Sequence, residues 1–597
     1  MPSPLRPSRL IEKLTLELPR KLRDRAAARG PLPEPAAPAD GGRGALPVSR
    51  VNAALPSDGW EGALALGNRT LAELSELKWD RCPETGAVLP TAHRAALDVE
   101  PGAWAQARRA HQHRWFSTLA RTWAETGSVA HAVAATTALG EWLASDRPEV
   151  GVPWLHASDA AVRLVHWSLG AGWLGEELDA DLWRRMAGSA QAHARHLEAN
   201  LSLGSNGSDH RLVAQACGLV VAGLTWPSLD GARRWWSQGL TLLGRHLPGQ
   251  LHSGGVPKDL SLSLLERTVT LALVARASCR ANNVAFPADA ESALARGAWL
   301  LRLASGDMDA LPPIGQAVEP PLAAWGAPTA TTPWNVMALS LEGEDGTPVA
   351  ATDRSAIALA GEVATPGEVL ARDKEWVMFA LRDDGLVLLH GGVKKRPSRI
   401  VFQTGHGVGL ASHEDFFQIL WDVGGVEVLA DPGSDVTAPT DRAFAGARAH
   451  GQLLYRGQGL PARGACVDAT LTMARSDGRD ASMVAEHGAF EGVIHRRDVR
   501  VGGARITVSD HLDEGANGEV EIRWPLGPDW SIDAIEGSEC EAVVDNLTLK
   551  IKLAPELSWT VESGEVIRAG LRRTAPILIG RGRAQGAVRY RSSFELR

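Results

Sequence analysis

Tyrosine is almost absent. The 597 residues hold two, Tyr455 and Tyr590, beside 21 tryptophans. No phenol is available before residue 455, so proton transfer in that stretch falls to other groups. Cysteine is sparse: Cys82, Cys217, Cys279, Cys466 and Cys540 are odd in number, with no CxxC or Cys/His ribbon. That argues against a disulfide framework and predicts free, mostly buried thiols in a reducing compartment. No apolar run reaches the roughly 18 residues of a membrane span. Positive charge is not in excess. A net charge of −8 and a pI near 6.2 give no basis for wholesale nucleic-acid binding. Gly clusters of GxGxxG type lack a strand-to-helix context, so no dinucleotide site is expected.

What is present fits a multidomain globular chain. The length predicts two to four domains, and 44% hydrophobic content provides for a large core. The first segment, "MPSPLRPSRLIEKLTLELPRKLRDRAAARG", is basic and amphipathic but lacks the apolar stretch of a secretion signal. A cytoplasmic protein is therefore expected. The segment reads as a helix strapped to the body and broken at Pro19, or as a peripheral attachment to an anionic surface. Residues 30–48 form a Pro/Gly/Ala linker.

From about 55 to 330 the pattern is helical. Trp115, Leu119 and Trp123 mark one face of a helix ending at Gly127, and Leu265, Val269 and Ala272 mark another. After "EGEDGTP" (342–348) the period becomes two: Val520, Ile522 and Trp524 alternate with charges, as do Leu547, Leu549, Ile551 and Leu553. Such alternation marks half-buried antiparallel strands, and short strands with regular turns point to a sandwich. The expected division is a leader and linker at 1–48, a helical domain at 49–340 and an all-β domain at 341–597. Tryptophans filling the helical core explain their number, with sugar stacking as the alternative.

Four stretches carry a resemblance. They are "WAQARRAHQHRWFSTLARTWAETGS" (104–128) with "GEWLASDRPEVGVPWLHASDAAVRLVHW" (140–167), "HLEANLSLGSNGSDHRLVAQACGLVVAGL" (196–224), "GGVPKDLSLSLLERTVTLAL" (254–273), and "ASHEDFFQILWDVGGVEVLADPG" (411–433) with "DRAFAGARAHGQLLYRGQG" (441–459). In order and spacing the chain resembles the heparinase II/III-like polysaccharide lyases. The resemblance implies an α+β multidomain protein, an N-terminal (α/α) helical toroid followed by a C-terminal antiparallel β-sandwich. It also implies an acidic, uronate-containing polysaccharide or oligosaccharide as partner, cleaved by β-elimination. That chemistry needs a group to neutralise the carboxylate, a base for the α-proton and an acid for the leaving oxygen.

The family's Asn-His pair matches Asp209-His210. His210 is kept, but an ionised Asp209 would repel a carboxylate. In the next stretch Gly254, Gly255, Asp259 and Ser261 fit the pattern, yet the catalytic Tyr falls on Leu264 and its neighbouring His on Leu265. In the His-x-His-x-Asp stretch the first, catalytic His falls on Ala411. His406, in "TGHGVG", is a candidate replacement, with a solvated loop histidine as the alternative. Trp154 and Arg163 match positions near the family's substrate cleft; a simple pairing of Asp159 with Arg163 on a helix, at i, i+4, is the alternative.

The resemblance also implies a metal, zinc, on His413, Asp431 and His450. Such a set of nitrogen and oxygen donors suits zinc; the alternative is hydrogen-bonded sandwich histidines. A two-residue turn at Gly424-Gly425 would set Asp431 opposite Gln418. Residues 411–415 must then fold back for His413 to reach it. Two readings stay open: a lyase in which His210, Asp209 and His406 act, and a catalytically inactive relative that binds polysaccharide or scaffolds and keeps a structural metal. The sugar, the linkage and the oligomeric state leave no mark in the sequence.

Overall fold

The computed structural model describes residue 46 and residues 63–76, 105–203, 210–306, 311–316, 376–405, 413–434, 442–459, 469–568 and 571–597. The expected leader, and the boundary at 341, lie outside the described residues, residue 46 apart. The described residues form two compact units: one of those within 1–250 and 266–298, the other of those within 251–265, 299–316 and 376–597. They interleave along the sequence, so short stretches of the helical region belong with the strands.

The helical region contains, among the described residues, α1 (Ala63–Glu76), α2 (Ala105–His111), α3 (Arg114–Thr126), α4 (Val129–Ser145), α5 (Ala157–Leu174), α6 (Ala180–Ala199), α7 (His210–Thr225), α8 (Ala232–His246), α9 (Leu262–Ala281) and α10 (Ala288–Ser305). The expected face of α3 is present, and the helix ends where expected: Gly127 adopts φ 67° and caps the Trp123 carbonyl. Alternate helices α3, α5 and α7 pack side by side, with α4, α6 and α8 against them. The inner helices are therefore buried almost all round, and α5 is buried from Ala157 to Ala171. Close approach sets residue choice here. A Cβ on Gly218 of α7 would fall 2.7 Å from the Ala161 Cβ of α5, so any larger residue would push the two helices apart. Trp142, Trp154, Trp167, Trp226 and Trp235 are fully buried, so these tryptophans fill the helical core and are not sugar platforms.

The second unit is antiparallel throughout. One sheet runs β1 (Trp376–Leu381), β2 (Leu386–Val393), β3 (Arg396–Gln403), β4 (Ile419–Val423), β5 (Val426–Leu429) in chain order. Further strands are β6 (Leu453–Tyr455), β7 (Ala469–Ser476), β8 (Asp480–Phe490), β9 (Val493–Gly502), β10 (Arg505–Leu512), β11 (Asn517–Pro525), β12 (Ser531–Ile532), β13 (Glu539–Val544), β14 (Leu547–Lys552), β15 (Ser558–Arg568), β16 (Leu571–Gln585) and β17 (Val588–Leu596). They form an eight-stranded sheet ordered β12-β13-β14-β17-β10-β9-β8-β7 and a four-stranded sheet ordered β15-β16-β11-β6. The alternation foreseen at 519–524 and 547–553 falls on β11 and β14, with Val520, Ile522, Trp524, Leu547, Leu549 and Ile551 all buried. They join one core with Trp376, Trp421, Tyr455, Tyr590 and Phe594.

Gly424 and Gly425 form the expected two-residue turn, both with positive φ (57° and 85°). Val423 then pairs with Val426 and Asp422 with Glu427, but Trp421 pairs with Leu429. Val428 is thus an extra residue, a β-bulge in β5.

Candidate functional site

Three side chains from three segments converge in the sandwich. His413 precedes a turn, Asp431 follows β5, and His450 ends a short 3₁₀ turn, Ala447–Ala449. All are buried, and one ligand atom from each lies within 4.8 Å of the others. His450 Nδ1 is 3.2 Å from Asp431 Oδ2, and the two imidazole centroids are 5.4 Å apart.

The fold-back that the sequence demanded is built by a turn in which the Gln418 N–H donates to the Asp415 carbonyl at 3.2 Å. Phe417 completes it in the left-handed region at φ 61°, a conformation that costs a large residue energy and persists only where the surroundings impose it. Gln418 Nε2 donates to Asp431 Oδ2 at 2.7 Å, and the Gly433 N–H donates to Oδ1 at 2.6 Å. The His413 and His450 segments are also stitched directly. Gln452 Nε2 donates to the Glu414 and Ala447 carbonyls at 2.6 and 2.7 Å, and Ala447 N–H donates to the Glu414 carboxylate at 3.1 Å.

The electrostatics favour a cation. Burial pushes the Asp431 carboxyl up, but His450 and His413 more than offset it and hold it below the usual range. Burial pushes His450 down, and Asp431 more than offsets that, for a net rise. His450 Nε2 is fully buried with no hydrogen-bond partner among the described residues. A buried imidazole nitrogen in that position is costly unless something takes up its lone pair or proton. Two histidines and a carboxylate, with Asp431 oriented by Gln418, form a donor set that fits a divalent metal.

The other expected site residues lie elsewhere. Asp209, His406 and Ala411 fall outside the described residues. His210 opens α7 and is half-buried. Trp154 and Arg163, expected near a polysaccharide, are both 0% exposed. Arg163 donates from Nε to His193 Nε2 at 2.8 Å, from Nη1 to the His111 carbonyl at 2.5 Å and from Nη2 to the Pro153 carbonyl at 2.7 Å. Trp154 Nε1 donates to Asp146 at 2.8 Å. The i, i+4 pairing of Asp159 with Arg163 does not form. Asp159 instead accepts from Arg108 Nε and Gln112 Nε2, both at 2.8 Å, because Arg163 points into the helical core.

In the 254–265 stretch the motif residues have structural partners. Gly254 N–H donates to Asp384 at 2.7 Å. Ser261 Oγ accepts from the Leu264 N–H at 3.2 Å, an N-cap of α9, and donates to the Gln316 carbonyl at 2.7 Å. Burial pushes the Asp259 carboxyl up to about 6. Leu264 and Leu265 are core residues. The three described cysteines, Cys217, Cys279 and Cys540, are free and buried, as expected.

Three residues of the site carry no role in the sequence reading, although the Gly424-Gly425 turn set Gln418 opposite Asp431. Gln418 orients Asp431. Arg568 binds Glu427 through Nε and Nη2 at 2.6 and 2.7 Å, and Nη2 also donates to the Asp431 carbonyl at 2.7 Å. Arg497 is the third, and a signal for it existed: in "VIHRRDVRV" it sits on the inward face with Val493, Val499 and Val501, where a charge demands a partner.

Two family models match the chain, Heparinase II/III N-terminus over residues 102–302 and Heparinase II/III-like, C-terminal over 375–588. Among solved structures it is similar to heparinase III at 13% identity and TM-score 0.65, over 99% of this chain and 91% of that one. It is also similar to the heparan sulfate lyase HepC from Pedobacter heparinus at 14% identity and TM-score 0.54, over 97% of this chain and 87% of that one. These likenesses carry the fold, an (α/α) toroid followed by an antiparallel β-sandwich. No curated protein matches the sequence. Among the described residues, no helix is long and apolar enough to cross a membrane.

Proposed function

The chain belongs to the heparinase II/III-like family, and on that premise we propose that it binds an acidic, uronate-containing polysaccharide without the family's tyrosine-dependent elimination, keeping zinc as a structural ion. One observation carries the reading. Both tyrosines of the chain are buried in the sandwich core, at 3% and 2% exposure, and the Tyr455 hydroxyl is taken up by the Asn517 N–H at 2.8 Å. Neither phenol is available to protonate a leaving glycosidic oxygen. The position that resembles the catalytic tyrosine is Leu264, a core side chain. A uronate remains the ligand class of choice because His210 is retained, half-buried at the start of α7, where a helix N-terminus favours an anion.

His413, Asp431 and His450 would hold the zinc. Bound there, it supplies a fixed positive charge and a cross-link between three chain segments. Gln418 and Gly433 hold the Asp431 carboxylate in place for it.

The retained His210, with Asp209 and His406 as its candidate helpers, keeps a second reading in play: elimination by histidine alone. Incubation with a panel of uronate polysaccharides separates the two. Calorimetric binding with no rise in ultraviolet absorbance from unsaturated product supports the binding protein. Steady product formation that vanishes in His210→Ala sinks it.

A further inference from the structure

A second polar group lies in the sandwich interior, and Arg497 belongs to it. His487 on β8, His495 and Arg497 on β9 and Asp510 on β10 all have 3% exposure or less. Their hydrogen bonds run in one direction. The Ala489 N–H donates to His487 Nδ1 at 3.1 Å, so the His487 proton sits on Nε2 and is donated to His495 Nδ1 at 3.0 Å. His495 then donates from Nε2 to Asp510 Oδ1 at 2.8 Å. Both histidines are neutral in this arrangement, in keeping with burial, which pushes His487 down to about 2 and His495 downward as well. Arg497 closes the chain with a two-pronged contact on Asp510, Nε to Oδ1 at 2.7 Å and Nη2 to Oδ2 at 2.9 Å.

The remaining prong of Arg497 leaves the network. Nη1 donates to the Phe417 carbonyl at 2.8 Å and to the Gly451 carbonyl at 2.9 Å. Phe417 is the left-handed residue of the fold-back that follows His413, and Gly451 directly follows His450. One guanidinium therefore grips both histidine-bearing segments from beneath. A lysine could not do this, because its ammonium lacks the planar fork that serves a carboxylate and two carbonyls together.

We propose that Arg497 is the positioning residue of the metal centre: fixed by Asp510 and the His495–His487 chain, it holds the segments of His413 and His450 at ligating separation. The proposal rests on the metal reading above. It is tested on the full chain, stripped with chelator and titrated with Co²⁺, whose visible absorption reports ligand geometry. Arg497→Lys, with the far-ultraviolet circular dichroism of the wild type, is expected to weaken Co²⁺ by about 10- to 100-fold, the usual cost of losing an outer partner. His495→Gln, which leaves the Arg497–Asp510 contact in place, is expected to weaken it a few-fold, and it serves alone if Arg497→Lys does not fold. In metal-free protein, hydrogen exchange at residues 414–418 and 451–452 should quicken in either variant, while β13 and β14 keep their protection. A folded Arg497→Lys, or failing that His495→Gln, with wild-type Co²⁺ affinity and exchange overturns the proposal. Wild type and His413→Ala taking up Co²⁺ equally overturns the metal reading itself, a result the Arg497 arm does not mimic.

Discussion

In the helical unit, His111, His113 and His193 sit around the Arg163 guanidinium; in the sandwich, His413 and His450 sit around the Asp431 carboxylate. Both groups are buried and both are rich in imidazole, yet the charge at the centre has opposite sign. Burial and then Arg163 drive His111 down to about 3 and His113 and His193 well below their ordinary value. As neutral rings, His111 and His113 accept the indole N–H groups of Trp142 and Trp167 at 3.0 and 2.8 Å. A second cation has no place there. Asp431 does the reverse, drawing positive charge onto His450. A cluster of buried histidines is thus not a metal site by virtue of its histidines; the sign of the neighbouring charge decides.

The sharpest way to break this contrast is Asp431→Ala. Metal uptake should vanish by elemental analysis. Removing one partner of a buried pair should also cost about 3–5 kcal/mol, read as a lower sandwich unfolding midpoint. Arg163→Met strikes the other centre. It leaves His193 Nε2 and two carbonyls without their donor, so a loss of about 3 kcal/mol is expected, with metal content unchanged. A fall in metal content would erase the distinction between the two centres.

A pH series sharpens the same contrast. His111, His390 and His487 lie at about 3, 4 and 2 when folded, against an ordinary 6.5. Below pH 6.5 the unfolded chain takes up protons that these folded sites refuse. Stability should fall from pH 6.5 toward 4 by about 1.4 kcal/mol per pH unit per histidine. His450 runs the other way, since its folded value is raised. In metal-free protein its contribution is complete below 6.5 and is lost as pH climbs through that raised value. Thermal midpoints across pH should show His111→Asn flattening the acid limb and His450→Gln flattening the alkaline one.

The smallest effect concerns the thiols. Burial pushes Cys279 up to about 12 and Cys540 to about 11, and it pushes Cys217 up as well. Iodoacetamide at neutral pH should leave these three unlabelled in the native chain by peptide mass spectrometry, and label them on unfolding.

Much of the fold was legible because it is written in short periods. The face of α3, its Gly127 stop, the alternation of β11 and β14 and the Gly424-Gly425 turn all follow from neighbours in sequence. The histidines and Asp431 of the sandwich were legible through resemblance, and the geometric demand for a fold-back could be stated beforehand. What could not be read depends on distant partners. Asp159 looked paired with Arg163 four residues on, but Arg108 takes it, and Arg163 turns inward to His193 and the His111 carbonyl. Local spacing could not tell that Arg163 and Trp154 would be interior. Nor could it show that Arg497 reaches two carbonyls on separate segments.

Val428, the extra residue of β5, touches none of this chemistry, yet it works as a phase setting. Side chains alternate sides along a strand, so the count of residues between the Gly424-Gly425 turn and Leu429 sets the register in which β5 hands the chain on to Asp431. On the proposed metal reading, deleting Val428 should leave His413, Asp431 and His450 in the sequence yet shift Asp431 relative to the two histidines. The centre can therefore be lost by an error in counting as surely as by an error in chemistry, and a homologue that keeps both histidines and the aspartate but drops a residue in this short span should bind no metal.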